Sequence, residues 1–473
     1  LDFRKHEDVM KQAKDVHIMW IKKVTDAARA IKPDVLVFFN AGDYPTGRED
    51  YVSVNDQLEA ESLPTGGWGY DHFPMTMAYI RRKGKNCIGM TGKFHRSWGE
   101  FGGYKYKDAL LYEGAQCVAL NAGLSVGDQL HPTAKIDRYT YENIGNAVRY
   151  MKEREPWRGG DYIPEFAVFA SSHSGRSGES RGRTGVCRML FEEKYLFDLI
   201  TYEEADLKKY PFLIMADEQY PLDETEYNAL KDYIAKGGKL IASGKAPLYE
   251  GKIAFRLGAE LLGDAPYSPS YIRPFYPGKV ISDTPLVIYT PMYEINPVGK
   301  VLGEEVRPYF KRETIHFCSH NNIPCNYDSL HPAVTEGEDG FYIAAEIGTD
   351  YAKTGSLNPK QILIPLIEKL LPEKTVITNL PSSGKAVLYK KGDSYILHLL
   401  YANTVKRGEG VEVIEDLATI ADIRVSLRLP TPVSAGVLRP EGTPLSLTEE
   451  NGRVSFTLPK LRCSAIVELT EKK

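Results

Sequence analysis

The chain is poor in cysteine: six thiols among 473 residues, at Cys87, Cys117, Cys187, Cys318, Cys325 and Cys463. They are scattered, mostly in apolar or strand-like surroundings, which reads as buried free thiols and leans towards a reducing, cytoplasmic compartment. Cys318 and Cys325 flank His320, but zinc spacings repeat in pairs and this one does not, so no metal is expected. A charge excess is lacking too. Lys and Arg number 59 against 63 Asp and Glu, a formal net charge of −4, and with no basic block a nucleic-acid partner is not expected. No apolar run approaches the roughly 20 residues that a bilayer-spanning helix requires, so no membrane partner is expected. Gly-x-Gly-x-x-Gly and Walker patterns are missing, which leaves no cofactor to expect. Methionine is absent from the first position, where Leu1 leads straight into a charged helical segment. That is the pattern of a chain whose natural beginning lies upstream, so the lack of a signal peptide leaves secretion undecided.

What is present is concentrated between Glu61 and Pro132, in three polar-aromatic clusters that each follow an apolar run. The first runs Glu61-Ser-Leu-Pro-Thr-Gly-Gly-Trp-Gly-Tyr-Asp-His-Phe-Pro74. The second is Gly89-Met-Thr-Gly-Lys-Phe-His-Arg-Ser-Trp-Gly-Glu-Phe-Gly-Gly-Tyr-Lys105, and the third Leu120-Asn-Ala-Gly-Leu-Ser-Val-Gly-Asp-Gln-Leu-His-Pro132. Trp, Tyr, His, Asp and Glu around glycines at strand ends suit a sugar: flat apolar faces meet the C–H side of the ring, and fixed polar groups meet its hydroxyls. An oligosaccharide or glycoside substrate follows.

The length predicts several domains. Residues 1–30 read as a helix with Val9, Ala13, Val16, Trp20, Ile21 and Val24 on one face, and Val35–Phe39 as a buried parallel strand. Strand-like units near 36, 60, 88 and 118 then alternate with helices up to Glu155-Pro-Trp157. That is the grammar of a β/α barrel, whose chemistry sits at the C-terminal ends of its strands. Four units make half of a closed barrel of eight, so residues 1–158 are expected to be the C-terminal half of a (β/α)8 TIM barrel, the enzyme being incomplete within this chain. Residues 159–370 read as a doubly wound, flavodoxin-like α/β sheet. A Ser/Gly-rich loop from Ser171 to Gly175 is expected to be structural. Residues 371–473 read as an antiparallel β-sandwich.

At the clusters the sequence resembles the α-L-fucosidase type (glycoside hydrolase family 29-like) of barrel. The echoes are Glu61 followed by Trp68-Gly69-Tyr70, and Leu120-Asn121-Ala122-Gly123 followed by Gly127-Asp128. The gap from Glu to Trp-Gly-Tyr is shorter than in that family, and Asp71-His72 follow. The whole domain order is similar to glycoside hydrolases that join such a barrel to the trimerisation domain (glutamine amidotransferase-like) and C-terminal β-domain of family 42 β-galactosidases. The resemblance implies a glycosidase, α-L-fucosidase-like or β-galactosidase-like, assembling as a homo-oligomer, trimer or dimer. It also implies a nucleophilic Asp at the end of the fourth barrel strand, upstream of Leu1, and makes Glu61 the candidate acid/base.

A retaining glycosidase needs two carboxyls about 5–5.5 Å apart, one of them protonated. Glu61 is the first candidate acid, with pairing to Arg81 or Lys93 as its structural alternative. Glu100, on a glycine-rich loop, is the competitor, and Glu59 reads as a solvated loop charge. Trp68, Tyr70 and Trp98 are candidate stacking platforms. Asn40, Asp71, His72, His95, Asp128 and His131 are candidate hydroxyl ligands, the histidines also being readable as structural or as a zinc site. The rival class is a non-catalytic carbohydrate-binding or scaffolding protein without the carboxylate pair.

Overall fold

A computed structural model describes residues 4, 6–40, 44, 48–171, 180–202, 207–217, 221–276 and 284–472. Contacts divide the chain into two compact units, Leu1–Gly159 with Asn403–Leu417, and Gly160–Ala402 with Ala418–Lys473. The loop expected at Ser171–Gly175 lies, after Ser171, outside the described residues.

The first unit opens with helix α1 (His6–Ile31) and a short α2 (Glu49–Ser53). Three strands alternate with helices after them: β1 (Gln57–Glu61), α3 (His72–Ile80), β2 (Asn86–Gly92), α4 (Lys107–Ala119), β3 (Ala122–Gly127) and α5 (Arg138–Arg154). The strands pair in parallel in the order β1-β2-β3, with Glu61 beside Met90 and Gly92 beside Gly127. Period-two alternation buries Leu58 and Ala60 completely and sets Gln57, Glu59 and Glu61 on the opposite face, half-buried. Close packing on the helix face is visible at Gly89, where an added Cβ would lie 2.6 Å from Cys117 Sγ and 2.8 Å from the Phe73 ring.

Two expected strands are corrected. Residues 35–39 form no ladder among the described residues, and Leu36 is 76% exposed. The reason is that the amides of Val37 and Phe39 donate to the side chains of Asp56 and Asn55, both at 2.6 Å, and so are spent before a strand can take them. Arg29 of α1 clamps the same Asp56 at 2.8 Å. The strand expected at 117–120 is the last turn of α4, and β3 begins only at Ala122. Because α4 is buried nearly all round, its final apolar residues carry no helical periodicity to read. Asn121, at φ 62, makes the reversal into β3, so Leu120-Asn-Ala-Gly123 opens that strand instead of ending it. Glu59, expected on a loop, is in the middle of β1.

The second unit begins with β4 (Asp161–Tyr162), β5 (Phe166–Phe169), α6 (Arg181–Glu192), β6 (Phe197–Ile200), β7 (Phe212–Met215), α7 (Glu224–Ala235) and β8 (Lys239–Ser243). β5 and β7 are buried apolar runs, and β6 and β8 are buried and mostly apolar, as strands covered on both faces must be. The parallel strands run β6-β5-β7-β8, then Gly340–Ile343; four antiparallel strands extend the sheet to nine. An Asp223–Glu226 capping box starts α7, and Gly237 at φ 92 follows its end. Beyond it α8 (Ile347–Thr354) and α9 (Asn358–Leu370) precede the β-rich end. There a four-stranded and a six-stranded antiparallel sheet share one core that includes Leu388, Leu397, Val425, Phe456, Leu458 and Val467. β4 pairs with Lys385–Lys391 at the edge of the larger sheet. Cys87, Cys117, Cys187 and Cys463 are buried free thiols, and Cys318 and Cys325 are half-buried and free.

Candidate active site

The loops after β1, β2 and β3 leave the same end of one parallel sheet, and all but one of the sequence candidates lie on or beside them. Glu61 closes β1, half-buried. Its Oε2 accepts from Asn40 Nδ2 at 3.2 Å, and it makes no ion pair among the described residues. The alternative in which Lys93 would neutralise it is not what forms, since Lys93 Nζ lies 3.7 Å from Asp128 Oδ1. Glu59, two residues back on the same face of β1, has its pKa raised by burial first and by the charge of Glu61 second.

Ser62, next to Glu61, hydrogen-bonds His72 Nδ1 at 3.2 Å, and the Trp68 ring stands edge-on to His72 at 4.8 Å. His72 is therefore a buried strut under Trp68, not an open ligand. Trp68 is 38% exposed, as a platform needs, whereas Tyr70 is 3% exposed and is corrected from platform to core. The physical cause is the turn: Gly67 and Gly69 take φ of 97 and 74, which reverses the loop and directs Tyr70 inward. Its ring packs on Tyr112 and its hydroxyl donates to Glu113 at 3.4 Å, within a brace where Lys105 Nζ meets Glu113 at 2.7 Å and Thr91 at 2.6 Å. Burial, then Glu113, pushes the Tyr70 phenol upward. Asp71 takes the position before α3, where its carbonyl accepts from the Met75 amide at 3.1 Å.

In the loop after β2, Trp98 is 45% exposed, packs edge-on to Phe94 at 5.2 Å, and reaches Gly127, where a Cβ would come within 2.0 Å of its ring. A glycine at the end of β3 is thus what seats this indole. Glu100 folds back into its own loop: it accepts the Arg96 amide at 2.9 Å and fills the space beside Gly103. His95 is half-buried in the same loop. Asp128 accepts the Gln129 amide at 2.7 Å besides facing Lys93. His131 bonds Thr133 at 2.7 Å and stands edge-on to Phe101 at 5.8 Å. His72 and His131 thus have separate partners, Ser62 for one and Thr133 and Phe101 for the other. Ser62, Lys93 in its role on Asp128, and the Lys105–Glu113 brace are contributors that residue type alone did not single out.

No protein-family model matches the chain, and no curated protein does. Among solved structures, α-L-fucosidase isoenzyme 2 from Paenibacillus thiaminolyticus is 37% identical with a TM-score of 0.93, the match covering 100% of this chain and 74% of that one. A catalytic mutant of Gan42B, a GH42 β-galactosidase from G. stearothermophilus, is 12% identical with a TM-score of 0.68, covering 98% and 67%. β-Galactosidase from Bacillus circulans sp. alkalophilus is 14% identical with a TM-score of 0.67, covering 97% and 67%. At those identities the two galactosidases speak to the fold.

Proposed function

The chain belongs to the α-L-fucosidase family of glycoside hydrolases, and we propose from that premise that it acts on an α-L-fucosidic bond with Glu61 as proton donor. One observation carries the choice of residue: Glu61 ends a parallel strand, half-buried, and among the described residues its carboxyl accepts one bond, from Asn40. Glu100 likewise accepts one amide, that of Arg96, but it lies on a loop with its carboxylate turned back beside Gly103. In this reading Glu61 gives its proton to the departing glycosidic oxygen as the C–O bond breaks through an oxocarbenium-like transition state. A second carboxylate, the Asp expected at the fourth barrel strand, takes the anomeric carbon. Trp68 and Trp98 supply flat faces, and Asp128 and His131 are hydroxyl ligands.

The likeness to the galactosidases supports the finer domain reading. Residues 1–158 are then the C-terminal half of a (β/α)8 barrel. Residues 159–370 are a flavodoxin-like, trimerisation-type domain, its parallel strands in chain order 2-1-3-4-5. Residues 371–473 are a β-sandwich, and the assembly is a homo-oligomer. In the full-length protein, Glu61→Gln should abolish most turnover of fucosides with poor leaving groups and spare activated aryl fucosides, which depart without a proton. If Glu61→Gln matches wild type on both while Glu100→Gln shows the selective loss, the acid is Glu100.

A further inference from the structure

Residues 403–417 interrupt the C-terminal β-rich region in sequence, between the strands Ser394–Tyr401 and Ile420–Leu427, yet fold with the first unit. They form an antiparallel hairpin, Val405–Gly408 with Val411–Val413. Its tip and second strand lie on the loop after β1. The Gly410 carbonyl would be 3.7 Å from a Cβ on Gly67, and the Glu412 carboxylate 3.5 Å from one on Gly69. Glu412 Oε2 accepts the Tyr70 amide at 3.4 Å. At the far end of the hairpin, the Leu417 amide donates to Asp108 Oδ2, at the start of α4, at 2.9 Å. The hairpin is thus tied both to the loop carrying Trp68 and to the helix that follows the loop carrying Trp98.

We propose that Glu412 is a positioning residue for sugar recognition: it holds the Gly67-Trp68-Gly69-Tyr70 turn, and through it the Trp68 indole, in the orientation that a sugar face meets. The turn needs an outside anchor because its two glycines sit in the left-handed region and lend it little stiffness of their own. The Trp68 ring is fixed on one side by His72 and Ser62, and the hydrogen bond to Tyr70 N–H fixes the backbone on the other. A carboxylate bonded to a backbone amide is a charge-assisted contact, which a Gln oxygen replaces in part and an Ala does not.

The role of Trp68 rests on the function proposed above; the anchoring itself does not, and two measurements separate them. In Glu412→Ala, amide hydrogen exchange across residues 66–71 should quicken severalfold, with the exchange of α4 and α5 unchanged, and Glu412→Gln should restore most of the protection. For a fucoside, KM should rise about tenfold in Glu412→Ala with kcat little altered, and return towards wild type in Glu412→Gln. Unchanged exchange at 66–71 in the Ala variant overturns the anchor. Quickened exchange with KM unmoved on a substrate that is turned over overturns the recognition role. A fall in kcat at constant KM does so as well, since it would place Glu412 in the chemistry. Lack of turnover by wild type would defeat the functional reading alone, with the exchange result still deciding the anchor.

Discussion

Glu61 and Asp217 each stand at the C-terminal end of a parallel strand, and they are chemically opposite. Asp217, just past β7, is buried and saturated: it accepts the Gly348 amide at 2.7 Å, the Thr349 amide at 2.9 Å and the Ser243 hydroxyl at 3.3 Å. Its two amide donors open α8, where the helix dipole favours negative charge. Glu61, at the end of β1, is half-buried with one amide donor among the described residues. Yet Asp217 has the conspicuous pKa, pushed up to about 6 mainly by burial and held from going higher by those hydrogen bonds. The raised pKa of Asp217 is thus accounted for by its structural burial and needs no reactive role. Accessibility and unfilled accepting capacity are the better guide, and by that measure Asp217 is a structural pin and Glu61 the proposed proton donor.

The largest expected effect tests that division directly. Glu61→Gln should lower kcat on poor leaving groups by about 10²–10⁴-fold while leaving the thermal midpoint in place. A lowered midpoint with kcat intact would reverse the assignment. Next in size, Asp217→Ala orphans one buried and one part-buried amide and should destabilise the fold by about 2–4 kcal/mol, read by denaturant unfolding, with KM unchanged. Asp217→Asn sharpens the point. Because the folded chain holds the Asp217 proton more tightly than the unfolded chain, the stability of the neutral form is complete below pH 3.8 and lost as pH rises to about 6. Asn imitates the neutral acid, so its advantage over wild type should grow across that window by roughly 1–3 kcal/mol. An advantage that is flat with pH would show that Asp217 is ionised throughout.

The aromatic pair Trp98 and Tyr70 makes the same contrast on a smaller scale. Exposed Trp98→Ala should weaken fucose binding by about 1 kcal/mol, seen as lost fluorescence quenching, with little change in stability. Buried Tyr70→Ala should instead lower the midpoint through the lost Tyr112 contact. Equal effects on binding from both would return Tyr70 to the platform.

Much of this was legible in the sequence where one physical signal dominated. Apolar runs marked β5, β7 and β8, and the Gly237-Gly238 pair marked the end of α7. Legibility failed where competing signals were not local. Residues 35–39 have the composition of a strand, but Asp56 and Asn55 occupy their amides. Residues 117–120 look like a strand because a helix buried on all sides loses its stripe. In the site, the positions of Glu61, Trp68 and Trp98 followed from strand ends and flanking glycines. The inward turn of Tyr70 depends on two backbone angles, and Glu412 reaches it from 342 residues away, which no spacing rule conveys.

The smallest effect concerns the like-charged neighbours on β1. Alternation places Glu59 and Glu61 on one face, two residues apart, and the raised pKa of Glu59 comes from burial and then from Glu61. The sign follows from linkage: the folded chain binds the Glu59 proton more tightly, so that contribution is full below the ordinary carboxylate range and disappears as pH rises through the raised value. Glu59→Gln removes the charged form altogether and should gain on wild type as pH goes from about 4 to neutral. Half-exposure screens the effect to a few tenths of a kcal/mol, about a degree or two in the midpoint. Part of that gain belongs to repulsion, so it should shrink when Glu59→Gln is made in a Glu61→Gln background, where no like charge remains. If the gain is the same in both backgrounds, burial alone raises Glu59 and the two carboxylates do not sense each other. If wild type is the more stable at neutral pH, Glu59 is ionised to advantage and faces a positive group.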